Sequence, residues 1–298
     1  MLVPRNNKKL KSLQSNPSDY HNLVRYLANH DMPLDFLIAG ELAQIQTFGI
    51  PSISKILRRT RQYQDHGTKR LDDTKAILVE IMTDSVHSPR GQHMVKHLNW
   101  IHSHYPISNE DYLYTLALFI LEPDRWARQF SYRSLTDAER DALYQEFRDL
   151  GEAMNIKDIP DSFQAFQHWH STYKARHLTY HPDNHVVAQG LIDGMKPMVP
   201  SYLRPFIQSL ILVLLNDGDL VTAIGMKKPS APMRLMVHSV MGIRRLWLKF
   251  FNPWQNTPFN EGQIATNYPS YPGGYQASCL GPEKLIRNVN QRNGCPYQ

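Results

Sequence analysis

Only two cysteines occur in 298 residues, Cys279 and Cys295, both close to the C-terminus. That leaves no spacing for a thiolate zinc site or a redox pair in the body of the chain. A disulfide between them is open on spacing alone, and two free thiols of a reducing compartment are the expectation. Long apolar runs are missing as well. The most apolar stretch, Phe206 to Leu215, is about half of the ~20 residues a membrane span needs, and it ends at Asn216-Asp217. The N-terminus carries Lys8, Lys9 and Lys11 without the apolar core of a signal peptide. With no transmembrane segment or signal peptide in this chain, the expected location is cytoplasmic or peripheral to a membrane. No G-x-S-x-G elbow, P-loop, Rossmann glycine pattern or H-E-x-x-H is present, so those enzyme classes drop out. Alternating strand patterns, internal repeats and low-complexity tracts are also absent.

What is there is helical periodicity. The hydrophobic fraction is 42% and the charged fraction 20%, as in an ordinary globular chain able to bury one core. The reading is all-α: a flexible N-terminus over 1–18, one helical domain over 19–251, and an irregular Pro/Gly/Tyr-rich tail over 252–298 packed on that domain. Ser52 or Ser54 opens a helix after the Gly49-Ile50-Pro51 turn. Further helices are expected over about 70–84 and 92–104. Ser108 caps a third with an acidic first turn, which Pro123 ends. Thr136-x-x-Glu139 is a capping box for a helix to about Asn155. Pro160-Asp161 opens the next, Asn184 caps a shorter one, and 203–216 and 231–250 complete the set.

Net charge is +6 and the sequence pI about 9.2. An excess of cations suits anionic lipid or an anionic cofactor. The basic residues are scattered and no nucleic-acid motif occurs, so no nucleic-acid partner is expected. The segment Ile243 to Phe251 mixes basic and aromatic residues. It reads as a last core helix with Trp247 and Phe250 buried; an interfacial membrane contact is the alternative.

The stretch from Thr68 to Tyr105 carries the chemistry. On its first helix Arg70, Asp73, Thr74, Ile77, Leu78 and Ile81 recur at spacings of three and four, so they share one side. On its second, Met94, Leu98, Ile101 and His102 do the same. A histidine on an apolar face opposite an Arg/Asp/Thr cluster is a candidate haem or metal site, because a neutral imidazole binds iron and apolar walls exclude competing water. Among the 14 histidines, His93, His97, His102 and His104 form an alternative zinc cluster. His177, His181 and His185 repeat every four residues, but Pro182 interrupts them. His168 and His170 flank Trp169 and are expected to face solvent.

The ordered run "TKRLDDTKAIL…HLNWIHSHYPISNEDYLYTLALFILEPDRW", with "TFGIPSISKIL" before it and "YRSLTDAERDALYQEFRDLGEAMNI" and "HPDNHVVA" after it, resembles the haem-dependent oxygenases of the mycophenolic acid type. A more distant likeness is to the latex-clearing rubber oxygenases. The resemblance covers roughly three quarters of the chain. It implies a globin-like haem-binding core, with haem b and dioxygen as co-substrate. It places the proximal iron ligand at His102 and puts Arg70 and Thr74 on the distal side as catalytic and haem-contacting residues. Latex-clearing proteins have a lysine where this chain has Asp73, so Asp73 is expected as a catalytic proton acceptor and rubber-like substrates are disfavoured. The implied reaction is oxidative cleavage of a C=C bond in a hydrophobic, isoprenoid-like small molecule. A haem-binding carrier or sensor without turnover is the alternative.

Overall fold

A computed structural model describes residues 7–253 and 268–286. Among the described residues there is no strand, and the architecture is all-α. The helices are α1 (Lys8–Gln14), α2 (Tyr20–Tyr26), α3 (Pro33–Thr47), α4 (Pro51–Thr60), α5 (Gln62–Asp84), α6 (Pro89–His102), α7 (Asn109–Phe130), α8 (Asp137–Ala153), α9 (Phe163–His177), α10 (Pro182–Met195), α11 (Ile207–Leu215), α12 (Gly218–Ala223) and α13 (Ala231–Phe250).

Local signals set many of these boundaries. Ser108 accepts a hydrogen bond from the Asp111 amide, and Glu110 and Asp111 meet the positive end of α7. Thr136 and Glu139 form the full capping box of α8. Ser162 caps α9. Elsewhere tertiary partners override the local signal. Pro123 does not end α7; the helix runs on to Phe130 because Trp126, Ala127 and Phe130 bury beyond it and Trp126 Nε1 donates to Asp35 at 2.7 Å. Ser52 and Ser54 do not cap α4: Ser52 donates to Asp111 and Ser54 to the Phe48 carbonyl. His181 rather than Asn184 caps α10. The Asn184 amide instead ties α10 to the carbonyls of Thr179 and Ala223. At the N-terminus, expected as loose chain, Lys8–Gln14 is helical and buries Leu10.

Among the described residues the two larger of three apolar clusters both draw on α7. One gathers α2, α5, α6, α7 and α8; the other joins α3, α10, α11 and α12 around Trp126 and Phe130. The α5–α10 contact is close enough to require glycine. A Cβ on Gly190 would lie 2.6 Å from the Tyr63 carbonyl oxygen, and one on Gly194 2.6 Å from the Gly67 carbonyl carbon. This contact coincides with a kink in α5 at His66. Beyond it, α5 presents one face to α6 and α7 and another to the C-terminal tail. The tail residues 268–286 lie against α5 and α6. Cys279 is buried and disulfide-bonded, which corrects the free-thiol expectation; Cys295 lies outside the described residues.

Candidate functional site

A cavity of about 200 Å³ lies between α3, α4, α5, α6 and α7. Its walls are mainly aliphatic and aromatic, with Ile53, Leu57, Ile77, Leu78, Leu98 and Phe119 among them. Three residues singled out from the sequence line it together: Arg70 and Thr74 from α5, and His102 from the last turn of α6. The helical spacing explains why. Residues 70, 74, 77 and 78 fall on one side of α5, and Leu98 and His102 stack one turn apart on α6.

His102 is uncharged at neutral pH. Burial, and secondarily the positive charge of Arg70, push its imidazole down to about 4. Its Nδ1 is buried and makes no hydrogen bond among the described residues. Tyr112 is its ring neighbour, with centroids 5.5 Å apart. Buried imidazole nitrogens normally find a partner; this one and His170 Nε2 have none among the described residues. Arg70 lies over the Tyr63 ring and donates to the Thr74 hydroxyl, which in turn donates to the Arg70 carbonyl at 3.1 Å. The Thr74 proton is therefore committed to backbone, and a rotation about χ1 would be needed to present it to the cavity.

Asp73 is placed differently. Sitting at the margin of the α5 stripe, it turns to the outer side and does not line the cavity. Its carboxylate accepts from Lys69 Nζ at 3.0 and 3.1 Å and from the Tyr271 hydroxyl of the tail. Burial raises its pKa, an effect opposed by Lys69 and Tyr271. It is therefore a structural anchor in this arrangement rather than a proton acceptor in the cavity. Met94 and Ile101 are likewise buried outside the cavity lining.

The other histidines do not converge. His97 Nε2 bonds the Leu280 carbonyl at 2.8 Å, and His104 bonds the Trp100 carbonyl. His181 caps a helix and His185 bonds the Ile224 carbonyl. No group of three or more His, Cys, Asp or Glu suited to a metal ion occurs among the described residues. His170, expected in solvent, stacks on Tyr114 at 5.0 Å and is pushed down to about 4 by burial.

Several polar groups at the cavity escaped the sequence reading. Tyr63 donates to Gln44 at 3.3 Å, and Gln44 donates to Glu41 at 3.3 Å. Glu41 lines an adjoining cavity of about 100 Å³ that shares Gln44, Leu78 and Phe119 with the first. Burial pushes the Glu41 carboxyl up to about 7. On the far wall Asp111 accepts from Ser52 at 2.7 Å and from Tyr173 at 3.0 Å. The one available signal was polar residues inside otherwise apolar helices. A donor set of one neutral, unpartnered imidazole, one guanidinium and apolar walls fits a haem: His102 can hold iron and Arg70 can meet a carboxylate.

Fold and site thus define an all-α protein with an apolar cavity built around one neutral histidine. The chain belongs to the family described as "ER-bound oxygenase mpaB/B'/Rubber oxygenase, catalytic domain", which matches residues 36–246. It is 29% identical over 249 residues to "ER-bound oxygenase mpaB'" of Penicillium brevicompactum, covering 78% of this chain and 59% of that protein. It is 32% identical over 180 residues to "ER-bound oxygenase mpaB" of the same organism, covering 54% and 46% of the two chains. To "ER-bound oxygenase mpaB" of Penicillium roqueforti (strain FM164) it is 35% identical over 153 residues, covering 48% and 51%. The chain spans about half to three-fifths of the length of these relatives. No described helix is long and apolar enough to cross a membrane.

Proposed function

We propose that this chain is a haem b-dependent oxygenase that uses dioxygen to cleave a C=C bond in a hydrophobic, isoprenoid-like small molecule. The observation that carries this reading is His102, a neutral imidazole with a buried, unpartnered nitrogen at an apolar cavity shared with Arg70 and Thr74. When bound, haem supplies the oxygen chemistry, and the protein supplies position and electrostatics. His102 would hold the iron. Depression of its pKa keeps it in the ligating form well below neutrality. Arg70 would meet a haem carboxylate or orient a polar group on the far side. Thr74 would donate a hydrogen bond into the cavity once released from the Arg70 carbonyl. Ile53, Leu57 and Phe119 would exclude water and hold apolar substrate. Membership of a family named for oxygenases supports the reaction class.

The test is an absorption spectrum of the purified chain reconstituted with haem, followed by oxygen uptake with unsaturated prenylated compounds. A Soret band that collapses in His102→Ala, with helicity retained, supports the ligand. Absence of a Soret band in the wild type would overturn the proposal. A Soret band without oxygen uptake across such compounds would leave a haem carrier in its place.

A further inference from the structure

The last long helix does not behave as a core helix. Of the residues of α13, only Val237 and Leu248 are buried, so the expectation that Trp247 and Phe250 pack inside is corrected. Leu235 and Ile243 are each 71% exposed and Phe250 63%. Met236, Val240, Leu246 and Trp247 are exposed as well. At about 100° per residue these seven side chains occupy one arc of about 140°. The opposite side holds Val237, Leu248 and Arg244. Arg244 donates to both oxygens of Asp35, at 2.9 and 3.0 Å, and so fixes which side faces out. A soluble monomer rarely leaves a contiguous apolar stripe of this kind in water.

Charge identifies what covers it. From Leu220 through Pro253 the chain has six cations, Lys227, Lys228, Arg234, Arg244, Arg245 and Lys249, and neither Asp nor Glu. The whole chain carries a formal charge of +6. The remaining lysines and arginines therefore balance the acids, and the entire excess lies in this segment. Arg234, Arg245 and Lys249 sit along one edge of the apolar arc, at the register where long basic side chains reach past apolar neighbours. Tyr202, Leu203 and Phe206 are also exposed, on a 3-10 turn packed against α11, the helix that α13 packs on too.

We propose that α13 lies flat on an anionic membrane surface, with Ile243, Trp247 and Phe250 in the headgroup layer and the flanking cations on lipid phosphates. Cations beside an apolar face are the signature of such helices. A second copy of the chain fits less well, because docking the same face on itself would bring two all-cationic segments together.

The experiment is co-sedimentation of the full chain with phosphatidylcholine vesicles, with and without phosphatidylserine. Phosphatidylserine-dependent binding that weakens in high salt is expected, with a blue shift of tryptophan emission that Trp247→Phe removes. Ile243→Glu should lower binding at least tenfold, and each of Lys227→Gln, Lys228→Gln and Lys249→Gln about fivefold at most. These side chains are exposed, so melting temperature should not move. Failure of the wild type to bind phosphatidylserine vesicles, or undiminished binding by Ile243→Glu, would overturn the proposal. So would a dimer in sedimentation velocity that Ile243→Glu dissolves without any vesicle binding; the stripe would then belong to a second copy. None of these readouts depends on haem.

Discussion

The two sides of α5 and α6 treat their polar residues in opposite ways. Toward the tail, nearly every polar group is engaged. The Ser270 amide donates to Asp72 at 2.9 Å, Tyr271 to Asp73, and Tyr275 to Glu80 at 2.8 Å. Lys69 donates to the Gly281 carbonyl at 2.8 Å, and Lys75 lies over the Tyr268 ring at 4.7 Å. Toward the cavity, Arg70 bonds Thr74 and lies over the Tyr63 ring, Thr74 bonds the backbone, and His102 keeps an orphaned nitrogen. His97 and His102 stand five residues apart on one helix; one is bonded to the tail and the other is not. An unsatisfied buried polar atom costs about 1–3 kcal/mol. A saturated face toward the tail and an orphaned imidazole toward the cavity are what the proposed haem site would require.

Exchanging the roles of these two histidines gives the largest effect. His102→Ala is expected to abolish haem uptake, read as loss of the Soret band, because no other described histidine lines the cavity. It should leave the fold intact. His97→Ala should retain the Soret band while loosening the tail, seen as faster amide exchange at Leu280. If the two variants lost haem equally, the division between the faces would fail.

Asp73 tests the outer face. Asp73→Ala leaves the Lys69 ammonium, about one-seventh exposed, and the Tyr271 hydroxyl without their shared acceptor. Breaking a buried pair in this way costs about 3 kcal/mol. The expected result is a lower urea midpoint with haem binding still measurable in the folded fraction. A variant that keeps full stability but loses turnover would return Asp73 to the chemistry.

Acid gives a smaller effect with a defined sign. His102 and His170 are both pushed down to about 4 by burial, against 6.5 unfolded. Above pH 6.5 neither state binds the proton. Below it the unfolded chain does and the folded one does not, so stability falls as pH drops from 6.5 toward 4. After solvent screening the loss is on the order of 2 kcal/mol for each group. His21, raised chiefly by its hydrogen bond with Glu146, acts in the other direction; its contribution is present at low pH and lost as pH rises through its folded pKa. Urea titrations from pH 7 to pH 4 should show a shallower decline in His102→Ala. An unchanged slope would mean that His102 titrates normally.

What the sequence disclosed and what it concealed follow the same line. That Arg70 and Thr74 share a face of α5, and Leu98 and His102 one of α6, was legible because a spacing of three or four puts residues on one side of a helix; their site roles came only from the family resemblance. Caps at Ser108 and Thr136 were legible because their partners lie three residues away. Pro123 was not, since the burial of Trp126 and Phe130 that carries α7 past it comes from distant helices. The Gly190-x-x-x-Gly194 spacing was a usable signal for the close α5–α10 contact. Gln44 and Glu41 were hidden because their partner Tyr63 and their cavity come from other parts of the fold. Asp73 lay at the margin of the stripe, where periodicity cannot decide which neighbour wins. For α13 the pattern was visible, but amphipathicity alone does not say which side meets the protein.

The smallest test removes one oxygen from the tail. Tyr275→Phe deletes the hydroxyl that donates to Glu80 while leaving the ring against Tyr268 and Tyr271. Glu80 keeps its ion pair with Arg90, so no buried charge is stranded. The loss should be about 1 kcal/mol, the net worth of one hydrogen bond. Urea unfolding would read it as a slightly lower midpoint with unchanged slope, and haem binding should not move. A large loss of haem affinity would mean that the tail supports the cavity through α5, so that the saturated face and the open face act as one unit.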